Sequence, residues 1–278
     1  MITFPNAKIN LGLNVLRKRD NGFHEIESVF LPVQLHDSLE IMPLDEGPPE
    51  LKVYNMDIPE GDNLCMKAFR LLEGMFNLPP VEMHLLKGIP MGAGLGGGSS
   101  DAAGTLLMLN DIFSLGLSDE KLEELAAKLG SDCAFFVRNK PAFATGRGEI
   151  LEEIELDLSG KYIMLLMPGF HISTSEAYAL VKPLSGRQSP KDIIALPIGN
   201  WKGRLVNDFE IPVFHKYPIL ESLKEELYVC GAVYASMTGS GSAMYGIFNS
   251  YPETAPDPDS GFRHLLSSVH TSLFLGRL

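Results

Sequence analysis

Positive charge is scarce in this chain. Lysine and arginine number 23 against 35 aspartates and glutamates, for a formal net charge of −12, and no basic run is longer than Arg17-Lys18-Arg19. Proteins that bind nucleic acid need a basic stripe to neutralise phosphates, so no nucleic-acid partner is expected and any anionic ligand must be held locally. Cysteine is scarcer still. Cys65, Cys133 and Cys230 are odd in number and none stand at C-x-x-C spacing, which argues against a disulfide framework or a structural zinc site and points to a reducing cytoplasm. The first residues lack a basic segment followed by an apolar core, so no signal or transit peptide is expected. Long apolar runs are missing as well. Residues 227–252 carry no charge, but Ser236, Thr238, Gly239, Ser240, Gly241 and Ser242 break the stretch in its middle. It reads as strand, loop, strand, and no membrane partner is expected.

What remains is the composition of an ordinary globular protein, 45% hydrophobic and 21% charged over 278 residues, long enough for one large domain or two ordinary ones. Ile9, Leu11, Leu13 and Val15 alternate with Lys8, Asn10, Gly12 and Asn14, the period of a half-buried strand that puts Lys8 and Asn10 on one face. The Asp20-Asn21-Gly22 turn leads to a second strand through Ile26, Val29 and Leu31, hence a hairpin or bulged ribbon. Further strands are expected at residues 38–42, 50–54, 81–86 and 162–167. Helical spacing of apolar residues appears at 63–76, from Ala102 to Phe113, at 119–129 and at 174–181. Gly130 is expected to stop the third of these in a left-handed conformation, with Asp132 just beyond. A final helical run is expected after the Pro/Asp-rich residues 251–261, and a domain boundary near 158 divides the chain into 1–158 and 159–278.

The densest signal lies between a strand and a helix. Of the residues from Gly88 to Gly98, six are glycine and a seventh is Ala93. A tight turn needs one or two glycines; six free the backbone to converge its N–H groups on an anion. Ser99, Ser100 and Asp101 suit a helix start, whose N-terminus adds donors and partial positive charge. Phosphate is the natural guest. Gly92, Gly94 and Gly97 also satisfy G-x-G-x-x-G, which keeps a dinucleotide site open, although the acidic ribose ligand would then be near Asp111, inside the predicted helix. No Gly-Lys-Ser or Gly-Lys-Thr triplet of a Walker loop occurs, and the protein-kinase catalytic-loop and D-F-G signatures are absent.

The run Pro90-Met-Gly-Ala-Gly-Leu-Gly-Gly-Gly-Ser-Ser100-Asp-Ala-Ala resembles the ATP-binding motif of the GHMP kinases, the family of galactokinase, homoserine kinase and mevalonate kinase. Pro5-Asn-Ala-Lys8-Ile-Asn10-Leu, Leu129-Gly-Ser-Asp132-Cys-Ala-Phe-Phe-Val, Gly146-Arg-Gly148-Glu149, Asn207-Asp208 and Met237-Thr-Gly-Ser-Gly-Ser-Ala are similar to further family segments, in family order. The resemblance implies an α+β fold of two domains: an N-terminal, ATP-binding domain like the second domain of ribosomal protein S5, and a C-terminal ferredoxin-like α/β sandwich. It implies an ATP-dependent small-molecule kinase. The triple glycine is most similar to the branch that phosphorylates a cytidine diphosphate-linked methylerythritol on its 2-hydroxyl, in the non-mevalonate isoprenoid route. Other acceptors of the family, homoserine or a mevalonate, and a non-catalytic nucleotide-binding role remain alternatives.

Carried over residue by residue, the resemblance makes Asp132 the catalytic aspartate and Lys8 the lysine that pairs with it and with the phosphoryl group. A lysine beside an aspartate keeps the carboxylate ionised and stabilises transition-state charge, and phosphoryl transfer rests mainly on positioning and electrostatics. The loop residues Pro90, Met91, Gly92, Ala93, Gly94, Leu95, Gly96, Gly97, Gly98, Ser99 and Ser100 would hold the ATP phosphates, and Asn63 the adenine, unless it is simply a helix cap. Mg²⁺ is implied as the phosphates' counter-ion, with the Ser100 hydroxyl as the plausible ligand and Asp101 the weaker one. Asn10, Phe23, His24, Thr174, Tyr178 and Gly239 would form the acceptor site, with Phe23 supplying a stacking face and Tyr178 stacking on the cytosine.

Overall fold

The computed structural model describes residues 1–56, 63–252 and 270–278. Two compact units share these residues without following chain order: Met1–Ala7, Leu35–Pro90 and Gly96–Lys140 make the first, and Lys8–Gln34, Met91–Leu95 and Pro141–Leu278 the second.

The first unit is a four-stranded sheet with helices packed on it. Its strands β1 (Ile2–Thr3), β4 (Ser38–Pro43), β5 (Glu50–Tyr54) and β6 (Val81–Leu86) lie in the order β1-β4-β6-β5, with β5 parallel to β6 and the other pairs antiparallel. Alternation along β4 and β6 buries Leu39, Ile41, Val81, Met83 and Leu85. Helix α1 (Leu64–Phe76) starts at Asn63, whose side chain accepts from Cys65 N at 2.8 Å, and ends at Asn77 in the left-handed region. Its buried face is Cys65, Ala68, Phe69 and Leu72; of the apolar spacing read at Leu64, Ala68, Leu71, Leu72 and Met75 only Ala68 and Leu72 lie on it, and Met75 is exposed. Helices α2 (Gly97–Ile112), α3 (Asp119–Leu129) and the short α4 (Phe135–Arg138) complete the unit. Ser118 caps α3 and acids fill its first turn. Gly130 does stop α3, but with φ −178° and ψ 155°, an extended conformation in place of the left-handed one expected. The glycine serves close packing instead, because a Cβ there would stand 3.2 Å from Cys133 Sγ.

The second unit holds two sheets. One has the order β2-β3-β7-β8, built from β2 (Asn6–Lys18), β3 (His24–His36), β7 (Ala142–Thr145) and β8 (Ile150–Glu153). The hairpin read from Asp20-Asn21-Gly22 is present. The half-burial expected of β2 is not: every residue from 6 to 15 is buried, the polar face with Lys8, Asn10 and Asn14 included. Those polar groups are buried because partners meet them inside the unit, as described below. The other sheet, all antiparallel, has the order β10-β11-β9-β12, from β9 (Tyr162–Met167), β10 (Tyr234–Met237), β11 (Met244–Phe248) and β12 (Ser272–Arg277). Helices α7 (Glu210–Lys216) and α8 (Pro218–Val229) bury Val213, Phe214, Leu220, Leu223 and Leu227 in a core with Leu166, Met237, Met244 and Phe248. Helix α5 (Thr174–Leu180) matches its expected place, whereas α6 (Pro190–Ile194), α7 and α8 have no counterpart in the sequence reading. The strand, loop and strand expected within the uncharged residues 227–252 are found as β10, the loop after it and β11, while residues 227–229 end α8. The final helical run expected after residue 261 lies outside the described residues, apart from β12. No helix among the described residues is long and apolar enough to cross a membrane.

Candidate functional site

In the first unit the site is the mouth of α2. Its cap is Gly96, at φ 73°, and it has no side-chain cap hydrogen bond. Ser99, Ser100 and Asp101, expected at the helix start, therefore lie inside the helix, whose first residues are Gly97 and Gly98. The turn closes with Ser100 N donating to Gly96 O at 2.9 Å. The earlier N–H groups of an α-helix have no intrahelical acceptor, so those of Gly97, Gly98 and Ser99 are the donors a bound anion would use.

A buried charge cluster fixes this mouth. Lys87 Nζ donates to Asp37 and, at 2.7 Å, to Asp101 Oδ2, and the three side chains are at most 3% exposed. Asp37 Oδ1 also accepts from Gly88 N at 2.6 Å and Ile89 N at 2.8 Å. The strand end leading to the glycine segment and the first turns of α2 are thus tied to one ammonium. Burial, reinforced by Asp37 and opposed by Lys87, pushes the Asp101 carboxyl up to about 7. Lys87 was legible: it continues the inward face of Val81, Met83 and Leu85. Asp37, in the turn between β3 and β4, gave no such signal.

In the second unit residues 91–95 form the rest of the glycine segment. Gly92 and Gly94 have φ of 64° and 78°, which favours glycine. A Cβ on Gly94 would stand 2.1 Å from Thr238 O, and one on Gly92 1.8 Å from His171 Nδ1. Ala93 O accepts from Ala243 N at 3.1 Å and Leu95 O from Lys8 N at 2.9 Å. The segment is thereby stitched to β2 and to the second glycine loop.

Beside it lies a buried polar network. Lys8 Nζ donates to Asn10 Oδ1 at 2.6 Å and lies 4.8 Å from the centre of the Phe30 ring. Asn10 Nδ2 donates to Ser28 Oγ at 2.9 Å, and Ser28 Oγ to Gly12 O at 2.6 Å. Thr238 Oγ1 accepts from Asn10 N at 3.0 Å. Asn207 holds the second glycine loop by donating to Met237 O and Gly239 O, both at 2.8 Å. Thr174 Oγ1 stands 3.4 Å from Ser240 Oγ, which brings Thr174 to the loop of Gly239. His24 stacks on Tyr178 with ring centres 4.6 Å apart and planes at 15°, and Tyr178 meets Phe209 edge-on. Phe23 is 52% exposed. Burial and the charge of Lys18 hold the His24 imidazole below its ordinary value.

Of the expected residues, the second unit brings together Lys8, Asn10, residues 91–95, Thr174 and Gly239 around one loop, and pairs His24 with Tyr178. The first unit holds Gly96 to Ser100, Asn63 and Asp132, and Asn63 is a cap whose oxygen is already engaged. His171 and Ser28 were not singled out from sequence, and Asn207 was quoted only as part of a family segment, without a role. Their roles come from contacts distant in the chain.

The GHMP kinases N terminal domain matches residues 63–140 and the GHMP kinases C terminal domain residues 198–259. The chain belongs to the GHMP kinases. Among its relatives, the 4-diphosphocytidyl-2-C-methyl-D-erythritol kinase of Bacteroides thetaiotaomicron is 51% identical over 94% of this chain and 96% of its own. The protein of the same name from Bacteroides fragilis is 50% identical over 90% and 92%. A solved GHMP kinase structure, 4-(cytidine 5'-diphospho)-2C-methyl-D-erythritol kinase, superposes with a TM-score of 0.80 at 29% identity, covering 99% of this chain and 98% of that one. The α+β fold implied by the family resemblance is therefore the fold found, and the dinucleotide site left open by G-x-G-x-x-G falls away.

Proposed function

We propose that the chain transfers the γ-phosphoryl group of ATP to the 2-hydroxyl of 4-diphosphocytidyl-2-C-methyl-D-erythritol, giving its 2-phosphate and ADP. The observation that carries this reading is the 50–51% identity, over nine-tenths of the chain or more, to kinases named for that acceptor. The local chemistry agrees with it. The N–H groups at the α2 mouth and the backbone of Met91 to Leu95 are donors suited to ATP phosphates, and Asn63 is assigned to the adenine end. Asp132 orients the acceptor hydroxyl and takes its proton, and Lys8 stabilises the charge on the transferring group. Lys8 suits this role because Asn10 and Phe30 hold its long side chain in one place. The pyrimidine end of the acceptor is assigned to Phe23, His24 and Tyr178, and the methylerythritol end to Asn10, Thr174 and Gly239.

Among the described residues no cluster of three His, Cys, Asp or Glu side chains could hold a metal. A Mg²⁺ ion would instead arrive on ATP, keep several waters and take few protein ligands. Ser100 is the residue assigned to it. Asp101 is already bound by Lys87 and serves as the anchor of α2. When bound, Mg²⁺ neutralises phosphate charge. The division at residue 158 separates the two matched family segments, and we assign nucleotide binding to the part before it. Three free cysteines are in keeping with a reducing cytoplasm.

Purified protein supplied with MgATP and the cytidyl-linked acceptor is expected to release ADP and the 2-phosphate, identified by mass and phosphorus NMR. Phosphorylation of homoserine or mevalonate, with the cytidyl acceptor left intact, would overturn the assignment.

A further inference from the structure

Arg147 has no role in the reaction as assigned, yet it stands in a built position. It lies in the turn between β7 and β8, where Gly146 and Gly148 have φ of 74° and 107° and Gly148 N donates to Thr145 O at 3.0 Å. Ile26 N donates to Gly146 O at 2.8 Å, which ties this turn to the start of β3, next to Phe23 and His24. The Arg147 guanidinium lies over the Phe23 ring, 4.8 Å from its centre. Glu149 steers it: one carboxylate oxygen accepts the backbone N–H of Arg147, and the other faces Nε at 3.3 Å. Gly146 leaves room for that carboxylate, since a Cβ there would come within 2.8 Å of it. Among the described residues, nothing hydrogen-bonds to the two Nη groups, and the side chain is 34% exposed.

A guanidinium whose plane is fixed by a ring on one side and a carboxylate at Nε presents its remaining N–H groups as a fork, the geometry that matches phosphate oxygens. Basic side chains gather near this end of β3 despite the chain's net charge of −12: Lys18 acts on His24, and Glu25 is paired with Arg17 and Arg19. Both Glu149 oxygens are already engaged, which limits their repulsion of an incoming anion. We propose that Arg147 is a subsite for the diphosphate of a pyrimidine nucleoside diphosphate, seated on Phe23 beside the His24–Tyr178 pair. This rests on the assignment of the pyrimidine end to Phe23, His24 and Tyr178. It adds the residue by which a diphosphate-linked acceptor is told from an uncharged nucleoside.

Calorimetric titration of cytidine, CMP and CDP tests it without turnover. The wild type is expected to bind CDP about three- to tenfold more tightly than cytidine, with the preference shrinking as salt rises. Arg147→Met keeps a side chain over Phe23 and removes the charge. It is expected to abolish the preference while cytidine affinity stays within about twofold, and Arg147→Lys to restore part of it. In turnover, Arg147→Met raises KM for the acceptor more than it lowers kcat. An unchanged CDP preference in Arg147→Met overturns the proposal, and so does an equal loss of CDP and cytidine, which marks a purely structural residue. A wild type that prefers CDP through Arg147 but phosphorylates no cytidyl-linked acceptor leaves the subsite standing and overturns the reaction instead.

Discussion

In the first unit the approach to the glycine segment is fastened by charge, with Lys87 between Asp37 and Asp101. In the second, residues 91–95 are held by backbone hydrogen bonds and by the hydroxyl and amide groups of Thr238 and Asn10. The two fastenings differ in how they fail. Removing one partner of a buried ion cluster strands the remaining charges and costs about 3–5 kcal/mol, whereas a neutral hydrogen bond contributes about 1 kcal/mol and leaves a smaller penalty when broken. The helix mouth, whose N–H groups suit an anion, is anchored by the fastening that is hardest to release. Residues 91–95 are held by several weaker bonds.

The largest effect should come from a charge placed for chemistry. Asp132→Ala is expected to lower turnover by about 10²–10⁴-fold while ATP affinity and the melting temperature stay close to wild type. Lost ATP affinity with turnover intact would move Asp132 out of the catalytic role. Next comes the charge that fastens. Lys87→Met leaves Asp37 and Asp101 facing each other without a cation, with an expected loss of about 3–5 kcal/mol in chemical denaturation. A loss below about 1 kcal/mol would erase the distinction between the two units.

Thr238→Val probes the neutral fastening. It removes the acceptor of Asn10 N while keeping shape, for an expected loss of about 1–3 kcal/mol and weaker ATP binding through the Gly94 contact; a larger loss than that of Lys87→Met would reverse the ranking. The smallest effect is pH-dependent. His24 is held below its ordinary value, so folding favours its neutral form. Its stabilising contribution is therefore present above about pH 6.5 and lost as the pH falls through the lower folded value. Melting temperatures of wild type and His24→Gln should diverge between pH 7 and pH 5, the wild type falling faster. Parallel curves would remove His24 from this account.

Periodicity made most elements of the first unit legible. β4, β6, α1 and α3 follow alternation or helical spacing closely, and Lys87 could be placed on the inner face by the same count. Legibility failed where tertiary contact overrides local signal. The alternation of β2 predicts one wet face, yet Lys8, Asn10 and Asn14 are buried, because Ser28, Thr238 and Gln188 meet the two asparagines and Asn10 in turn meets Lys8. Ser99 and Ser100 look like caps, but three glycines begin α2 before them. Helices α7 and α8 were missed because neither begins with a side-chain cap, and α7 spans only seven residues. Lys8, Asp132 and the glycine residues were singled out through family motifs. Asp37 and His171 were not, since each acts on a segment about 50 to 80 residues away.

The interleaving of the two units also sets an order for synthesis. A ribosome releases everything the first unit needs once residue 140 has emerged, and domains tend to fold as they appear. β2 and β3 precede β4, β5 and β6 in the chain yet belong for the most part to the later unit. Their partner β7 arrives more than 100 residues later, and the Asn10–Thr238 bond joins positions 228 apart in the chain. Lys8 is therefore translated long before its surroundings are completed.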